Sequence, residues 1–409
     1  MLHRIWLVFI ISAFLATSWQ VFVTGELNAF QDTMSAVTSM AKLSVEIAIG
    51  LIGLLAFWLG IFQVAERSGL VAKFSKIIEP LLCRLMPDIP KGHPAIGSIT
   101  MNMSANVLGL DNAATPFGIK AMQDMQTLSP HKDTLTNSQI LFLVLNTSSV
   151  TLFPIAVFLY RAEQGAAQPT DVFIPILVAT SASTLAGLLV TCTVQRVNLF
   201  NKIIVLYLLG IFSGLFAVIL YFSKLASDQL AQQSSVVANF LLLLFIVIVL
   251  LSGWRKNLNT YELFVQGAKK GFEVAISIIP YLIAMLFAIG MLRASGVMDM
   301  VVQSIAAGVT TLGIDARFVE GLPTALMKPL SGSGSRALMI ETMQFHGADS
   351  FAGRLSSVLQ GSTETTFYVL AVYLGAVGIK HSRYAVGCCL AADLAGIFAA
   401  IVVSYWFFG

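Results

Sequence analysis

Long apolar runs, separated by short polar segments, dominate the hydrophobic pattern of this chain. Most runs continue for about 20 residues, the length of helix that crosses the hydrocarbon core of a bilayer. The sequence therefore predicts an all-α polytopic membrane protein with about nine transmembrane helices, at Ile5–Phe22, Val45–Ala65, Ile140–Tyr160, Val172–Val194, Ile203–Phe222, Val236–Leu251, Val274–Leu292, Leu355–Val377 and Tyr384–Phe408.

Two further stretches, Ile96–Met125 and Leu322–Met343, are apolar but broken by Gly, Asn, Ser and Pro. We interpret them as re-entrant hairpins, because irregular backbone at membrane depth is tolerated only where protein or a cavity covers it. The segments Leu70–Met86 and Val297–Leu312 are less apolar, and each follows a Ser-Gly pair. These two segments are expected to form helices lying in the membrane interface.

The composition supports a membrane protein and excludes a soluble one. The chain is 57% hydrophobic and only 11% charged, with a mean hydropathy of +0.83; soluble domains carry about 25% charged residues. A net charge of +3 over 409 residues gives no indication of nucleic-acid binding. The four cysteines lack metal-ligand spacing and are interpreted as packing residues.

The first apolar run has two interpretations. Arg4 before an apolar core is typical of a signal peptide. However, the run is long and Ala16-Thr17-Ser18 is a poor cleavage site, which favours a retained span.

Basic residues cluster in alternate loops, and this agrees with the positive-inside rule only if both broken stretches are hairpins. The N-terminus is predicted to be cytoplasmic and the C-terminus periplasmic.

The chain contains an internal repeat whose matches keep the same order. Glu46 matches Glu273 at an offset of 227, and the Ser-Gly pairs share this offset. The matches Leu145–Ser149 to Leu359–Thr363 and Thr184–Gly187 to Asp393–Gly396 follow at offsets of 214 and 209. Four predicted spans lie between the first equivalents, so the repeats are inverted. The predicted domains are an N-terminal helix and loop (1–40), a first repeat (41–199), two linking helices (200–270) and a second repeat (271–409).

The most unusual polar stretch is Leu359–Tyr368, which places Gln, Gly, Ser, Thr and Glu side by side inside an apolar segment. Glu364 alone should cost about 2.5–3.5 kcal/mol at the centre of a membrane. We interpret the stretch as an interruption of the helix that forms a solute or ion site. The alternative is a polar seam that holds helices together.

Both hairpins and both interrupted spans supply amides and hydroxyls, which suit a neutral, hydroxylated or zwitterionic solute. The alternative for each hydroxyl is a hydrogen bond to its own helix. The predicted substrate-binding residues are Asn112, Thr115, Asn146, Thr147, Ser148, Ser331, Ser333, Ser335, Gln360, Ser362, Thr363 and Glu364.

The remaining charged residues near these segments leave several alternatives open. Asp393 carries a proton or cation, or pairs with Lys328 or Arg336. Arg336 recognises a carboxylate or phosphate, or faces periplasmic water. Glu46 and Glu273 are interpreted as caps or ion-pair partners. The sequence contains no catalytic set and no metal site that we can place, so an enzyme is not predicted.

At these polar segments the chain resembles a known family. Leu110-Asp111-Asn112-Ala113-Ala114-Thr115-Pro116 is similar to spore maturation protein A, while Pro329–Gly334 and Gln360–Tyr368 are similar to spore maturation protein B. The chain looks like a fusion of the two, each with a nucleoside recognition or gate domain. The resemblance implies a bacterial inner-membrane protein with a fold similar to concentrative nucleoside transporters, an elevator-type movement and a homo-oligomer (dimer or trimer). It carries over onto Asn112, Thr115, Asn146–Ser149, Ser331–Ser335 and Gln360–Glu364.

The sequence and this resemblance together predict a secondary transporter of a small polar solute, with nucleosides leading on resemblance alone. Coupling to a proton or Na⁺ is assigned to Glu364, Asp393 and Ser149, and no other cofactor is expected. The competing hypothesis is a non-transporting membrane scaffold or regulator of envelope or spore-type assembly.

Overall fold

The apolar runs form helices, since a helix satisfies its own backbone polar groups in a lipid environment. The structure is a computed structural model that describes residues 2–90, 92–107, 111–130 and 132–409. Over these residues the regular elements are helices, and no strand longer than an isolated bridge is formed. The α-helices are α1 (Leu2–Trp19), α2 (Ala29–Arg67), α3 (Leu70–Leu85), α4 (Pro94–Val107), α5 (Asp111–Gln126), α6 (Asn137–Thr147), α7 (Ile155–Glu163), α8 (Phe173–Gln195), α9 (Lys202–Phe222), α10 (Ser227–Arg255), α11 (Thr260–Ala294), α12 (Val297–Thr311), α13 (Leu322–Met327), α14 (Gly332–His346), α15 (Phe351–Gly361), α16 (Thr366–Val377) and α17 (Ala385–Phe408).

Among the described residues, six helices are long and apolar enough to cross a membrane. A seventh candidate is the pair Leu282–Ala294 and Val297–Thr311, which is bent by 69°. The multi-pass membrane protein predicted from the sequence is therefore confirmed, whereas the count of nine spans stays a prediction. Two of the predicted spans contain no helix long enough to cross a membrane. Each is divided into two short helices, α6 with α7 and α15 with α16.

Helices α2 and α11, which contain the repeat equivalents Glu46 and Glu273, form the most extensive helix pair in the protein. Their contacts pair Met40 with Gly290 and Gly60 with Gly267, so the two helices are antiparallel. A methyl group at Gly267 or Gly271 would overlap the backbone of the other helix. Glycine is therefore required for this close approach.

Both Ser-Gly pairs end a long helix and begin a shorter one. Gly69 and Gly296 have φ angles of 74° and 71°, which only glycine adopts without strain. They stand before α3 and α12, the two helices predicted to lie in the interface.

The predicted hairpins are also helix pairs, α4 with α5 and α13 with α14, and the members of each pair pack on one another. The depth of these four segments in a membrane stays a prediction.

Two apolar clusters make up most of the core, and each broken helix contributes to both. Helices α6 and α16 lie in one cluster, around Phe142 and Tyr373, whose rings stack at 5.7 Å. Helices α7 and α15 lie in the other, which contains Phe158 and Leu359. The polar interruptions are therefore located where the two apolar clusters meet.

Loops of the two repeats contact one another at two places. In the first loop contact, the backbone N–H groups of Lys380 and His381 donate to the carbonyl of Asp133, at 2.9 and 3.0 Å. In the second, between residues 161–172 and 347–354, the contact is ionic. Arg161, which is fully buried, donates to Asp171 at 2.9 Å and to Asp349 at 3.2 Å, and Arg354 donates to the other oxygen of Asp171 at 2.7 Å.

Candidate functional site

The two interrupted spans meet at their interruptions. The first break covers residues 148–154 between α6 and α7, and the second covers residues 362–365 between α15 and α16. The backbone N–H of Glu364 donates to the carbonyl of Thr147 at 2.8 Å. Backbone groups released by one break are thus satisfied by the other, as required of irregular backbone away from water.

Each break is also bonded to the hairpin of its own repeat. The N–H of Leu152 donates to the carbonyl of Val107, at the end of α4, at 2.9 Å. In the second repeat, the N–H of Phe367 donates to the carbonyl of Pro329 at 2.9 Å. A Cβ atom at Gly332, the first residue of α14, would lie 2.7 Å from the hydroxyl of Thr365. Four segments that are far apart in the sequence therefore converge at one point.

Glycines on α8 and α17 hold the breaks in place. Gly187 and Gly396 are repeat equivalents, and each faces a break at close range. A Cβ atom at Gly187 would lie 3.3 Å from the hydroxyl of Ser148, and one at Gly396 would lie 2.8 Å from Cγ2 of Thr363. A larger residue at either position would force neighbouring side chains to shift, Val144 at Gly187 and Thr363 at Gly396.

Several predicted site hydroxyls are hydrogen-bonded within their own segments. Ser148 and Ser362, which are repeat equivalents, donate to the carbonyls of Val144 and Leu359, both at 2.8 Å. The same holds for the hydroxyls of three further predicted residues: Thr147 donates to Val144, Ser335 donates to Thr324, and Ser331 accepts from the N–H of Gly334 and lies 3.2 Å from Ser333. For these residues, the observed contacts agree with the alternative that each hydroxyl bonds within the protein and not to a solute.

Four other predicted residues have a buried oxygen without a hydrogen-bond partner among the described residues. They are Ser149 (Oγ), Gln360 (Oε1), Thr363 (Oγ1) and Asp393 (Oδ1). Ser149 and Thr363 are repeat equivalents, so the same atom is unpartnered in both breaks. Because buried polar groups are nearly always hydrogen-bonded, such a group calls for a bound solute, ion or water.

The amide of Asn146 belongs to a network with the first hairpin. Its Oδ1 accepts from Asn106 at 2.9 Å and from the hydroxyl of Tyr373 at 3.4 Å. Asn102 contacts the same hydroxyl at 3.4 Å. Tyr373 was not among the predicted site residues, because an aromatic residue in an apolar span is usually a core residue. Its polar role depends on a contact between α16 and α6 that the sequence does not reveal.

The two acidic residues of the site differ in environment. Glu364 is half-buried, and its carboxylate has no hydrogen bond or ion pair within the described part of the chain. Asp393 is 1% exposed, and its Oδ2 accepts from the hydroxyl of Thr366 at 2.7 Å. The buried ammonium of Lys328 is close enough to attract the Asp393 carboxylate. Arg336 instead lies over the ring of Tyr160, at 5.2 Å.

Two predicted residues of the first hairpin are not brought to the breaks by any described contact. The side chain of Asn112 lies outside the described part of the structure. Thr115 is half-buried and is the fifth residue of α5. The predicted role of both residues stays a prediction.

Comparison with known proteins finds relatives of both repeats. The nucleoside recognition family, Gate, matches residues 48–163 and 275–380, which together contain both hairpins and both breaks. Spore maturation protein B of Bacillus subtilis (strain 168) is 46% identical over 161 residues, covering 39% of this chain and 89% of that protein. Spore maturation protein A of the same organism is 42% identical over 163 residues, covering 40% of this chain and 83% of that protein. No solved structure matches. The chain belongs to the Gate family of nucleoside recognition proteins.

Proposed function

We propose that the protein is a secondary transporter that moves a small polar solute across a bacterial inner membrane by cation coupling. The observation that carries this proposal is the contact between the two breaks, where Ser149, Gln360 and Thr363 have buried oxygens that no other described residue bonds. Helix interruptions that meet inside a repeat protein are typical of transporter sites. Nucleosides are the first solute class to test, because of the description of the family.

Asp393 and Glu364 are the proposed coupling residues. One oxygen of Asp393 is held by Thr366 and the other has no partner among the described residues, so this buried carboxylate can take up a proton or Na⁺. Glu364 is half-buried beside the junction and is available to a solute amine or hydroxyl. Ionisable groups inside spans generally mark ion or substrate pathways.

The proposed movement is of the elevator type. The glycine-packed pair of α2 and α11 would serve as the fixed part. The hairpins and broken helices would move together, because backbone hydrogen bonds connect each break to a hairpin and to the other break. A homo-oligomer would give the fixed part a stable position in the bilayer. The N-terminus is proposed to be cytoplasmic and the C-terminus periplasmic.

The test is solute uptake by proteoliposomes, after a thermal-shift screen with nucleosides, amino acids and lipid phosphates. The variant Glu364→Gln keeps the side-chain shape but removes the charge, and we expect it to reduce uptake and its dependence on pH and Na⁺. Glu46→Gln is the matched control, since Glu46 is 60% exposed in a loose pair with Lys42. Unchanged uptake and ion dependence in Glu364→Gln would contradict the proposal.

A membrane scaffold or regulator of envelope or spore-type assembly is the competing function, and its spore-type form is suggested by the names of the relatives. It predicts that no solute raises the melting temperature. It also predicts that the unpartnered polar residues tolerate alanine without loss of function in cells.

A further inference from the structure

A polar cavity of about 390 Å³ lies away from the helix breaks, where α8 ends and α9 begins. The end of α3 and the first residues of α6 form its other walls. The polar groups that matter for its chemistry are Arg84, Asp88, Asn137, Arg196, Asn198 and Asn201. This cavity plays no part in the proposed transport site.

The three asparagines of the cavity are oriented by bonds to their oxygens. Oδ1 of Asn198 accepts from the N–H of Phe200, and Oδ1 of Asn201 accepts from the N–H of Ile203, both at 3.0 Å. Oδ1 of Asn137 accepts from Arg383 and from the hydroxyl of Tyr384, at 3.0 and 2.8 Å. A backbone N–H can only donate, so the orientation of Asn198 and Asn201 is fixed. Each asparagine therefore has its NH₂ group left for a ligand, since none of these groups donates to another described residue.

The charges of the cavity also favour an acceptor ligand. Arg84 and Arg196 are exposed and form no ion pair with any described residue. Asp88 opposes them with one carboxylate, which lies 3.5 Å from the hydroxyl of Ser138. Helices α6 and α9 both begin at this cavity, where Thr136 and Asn201 cap N–H groups of their first turns, and the positive dipole ends of the two helices favour negative charge there. Guanidinium and amide N–H groups together match the oxygens of a phosphate.

The surroundings of the cavity point to a lipid as the source of that phosphate. The cavity lies between the ends of two candidate membrane spans, Phe173–Gln195 and Lys202–Phe222. Apolar side chains are exposed beside it, with Val194 at 51%, Phe200 at 91% and Leu206 at 69% exposure. A headgroup in the cavity would thus have its acyl chains along α8 and α9. Basic pockets between helices are suited to anionic headgroups.

We propose that this cavity binds the phosphate of an anionic phospholipid headgroup. The proposal holds whether or not the chain transports a solute. The test is native mass spectrometry of the purified full chain, released from nanodiscs of phosphatidylcholine alone or with phosphatidylglycerol. We expect one retained phosphatidylglycerol per chain. The double variant Arg84→Gln/Arg196→Gln should reduce its retention at least tenfold.

The matched control is Arg67→Gln/Arg255→Gln, which removes the same charge from exposed ends of α2 and α10. Equal loss of lipid in this control would overturn the proposal, since general surface charge would then explain binding. The proposal would also be overturned if both double variants retained as much phosphatidylglycerol as the unchanged protein. A second arm adds inorganic phosphate or glycerol phosphate, and displacement of the lipid at equimolar concentration would overturn the lipid source. If the double variant does not fold, Asn198→Asp tests the same site. This substitution adds a second carboxylate to the cavity beside Asp88, and the added charge should repel the headgroup.

Discussion

The two breaks share a geometry but differ in charge. Ser148 and Ser362 occupy equivalent positions and donate to their own helices, while Ser149 and Thr363 are equivalent and unpartnered among the described residues. By the same offset, however, Glu364 corresponds to Val150, which cannot ionise. A symmetric frame therefore carries an asymmetric set of charges.

The same difference appears on the supporting helices α8 and α17. Thr184 donates its hydroxyl to the carbonyl of Ser148, whereas its repeat equivalent Asp393 accepts from Thr366. Both acidic groups of the site thus come from the second repeat. The comparison indicates that the repeat provides the shared geometry of the two breaks. In the proposed transport, the second repeat alone would provide the groups that respond to cations.

The two loop contacts between the repeats differ in the same way, one using backbone groups and the other charged side chains, and this difference has the largest expected effect. Arg161→Ala would leave the buried Asp171 with Arg354 as its one remaining charged partner among the described residues. Breaking a buried ion pair costs about 3–5 kcal/mol. We expect a loss of this size in the free energy of unfolding, measured by denaturation in detergent. Asp133→Ala is the control, because that contact uses the backbone carbonyl, and a comparable loss there would contradict the distinction between the two loop contacts.

The second prediction compares the ionisable Asp393 with its repeat equivalent Thr184, which cannot carry a charge. Asp393→Asn keeps a group that can accept from Thr366 but removes the ionisable carboxyl. We expect uptake driven by a cation gradient to fall roughly 100-fold, corresponding to about 2.7 kcal/mol. Thr184→Val should cost about 1 kcal/mol of stability through one lost hydrogen bond, and should keep the cation dependence. Loss of cation dependence in Thr184→Val would show that position, rather than charge, controls coupling.

The smallest effect concerns the unpartnered hydroxyls. Thr363→Val removes a hydroxyl without changing the shape of the side chain, so stability should be unchanged or higher by up to about 1 kcal/mol. Solute affinity, measured by isothermal titration calorimetry, should fall about 5- to 10-fold if the hydroxyl binds solute. Ser362→Ala is the control within the same break, since its hydroxyl is already bonded to Leu359. An equal loss of affinity in the control would exclude the unpartnered hydroxyl as the determinant.

Much of the fold follows from the sequence, because apolar runs and glycine positions act locally. The predicted interface helices begin after Gly69 and Gly296, where the chain needs positive φ angles. The stretch around Glu364 is interrupted, as its polar residues predict. The hydrogen-bond partner of each hydroxyl group could not be predicted. A buried Ser or Thr bonds its own helix or a ligand according to its rotamer and its neighbours.

Contacts between distant segments were missed for a related reason. Arg161 follows a predicted span directly, and nothing near it in the sequence indicates that it is buried. Two of its partners, Ala348 and Asp349, lie in the other repeat. Tyr373 was missed in the same way, because its polar partner Asn146 is on another broken helix.

The bond between Glu364 and Thr147 has a consequence for biosynthesis. Thr147 is synthesised well before Glu364, the residue whose N–H donates to its carbonyl. An unsatisfied carbonyl in lipid would cost several kcal/mol, so another group must satisfy it until then. The first repeat can therefore reach this structure only after the second repeat has been translated.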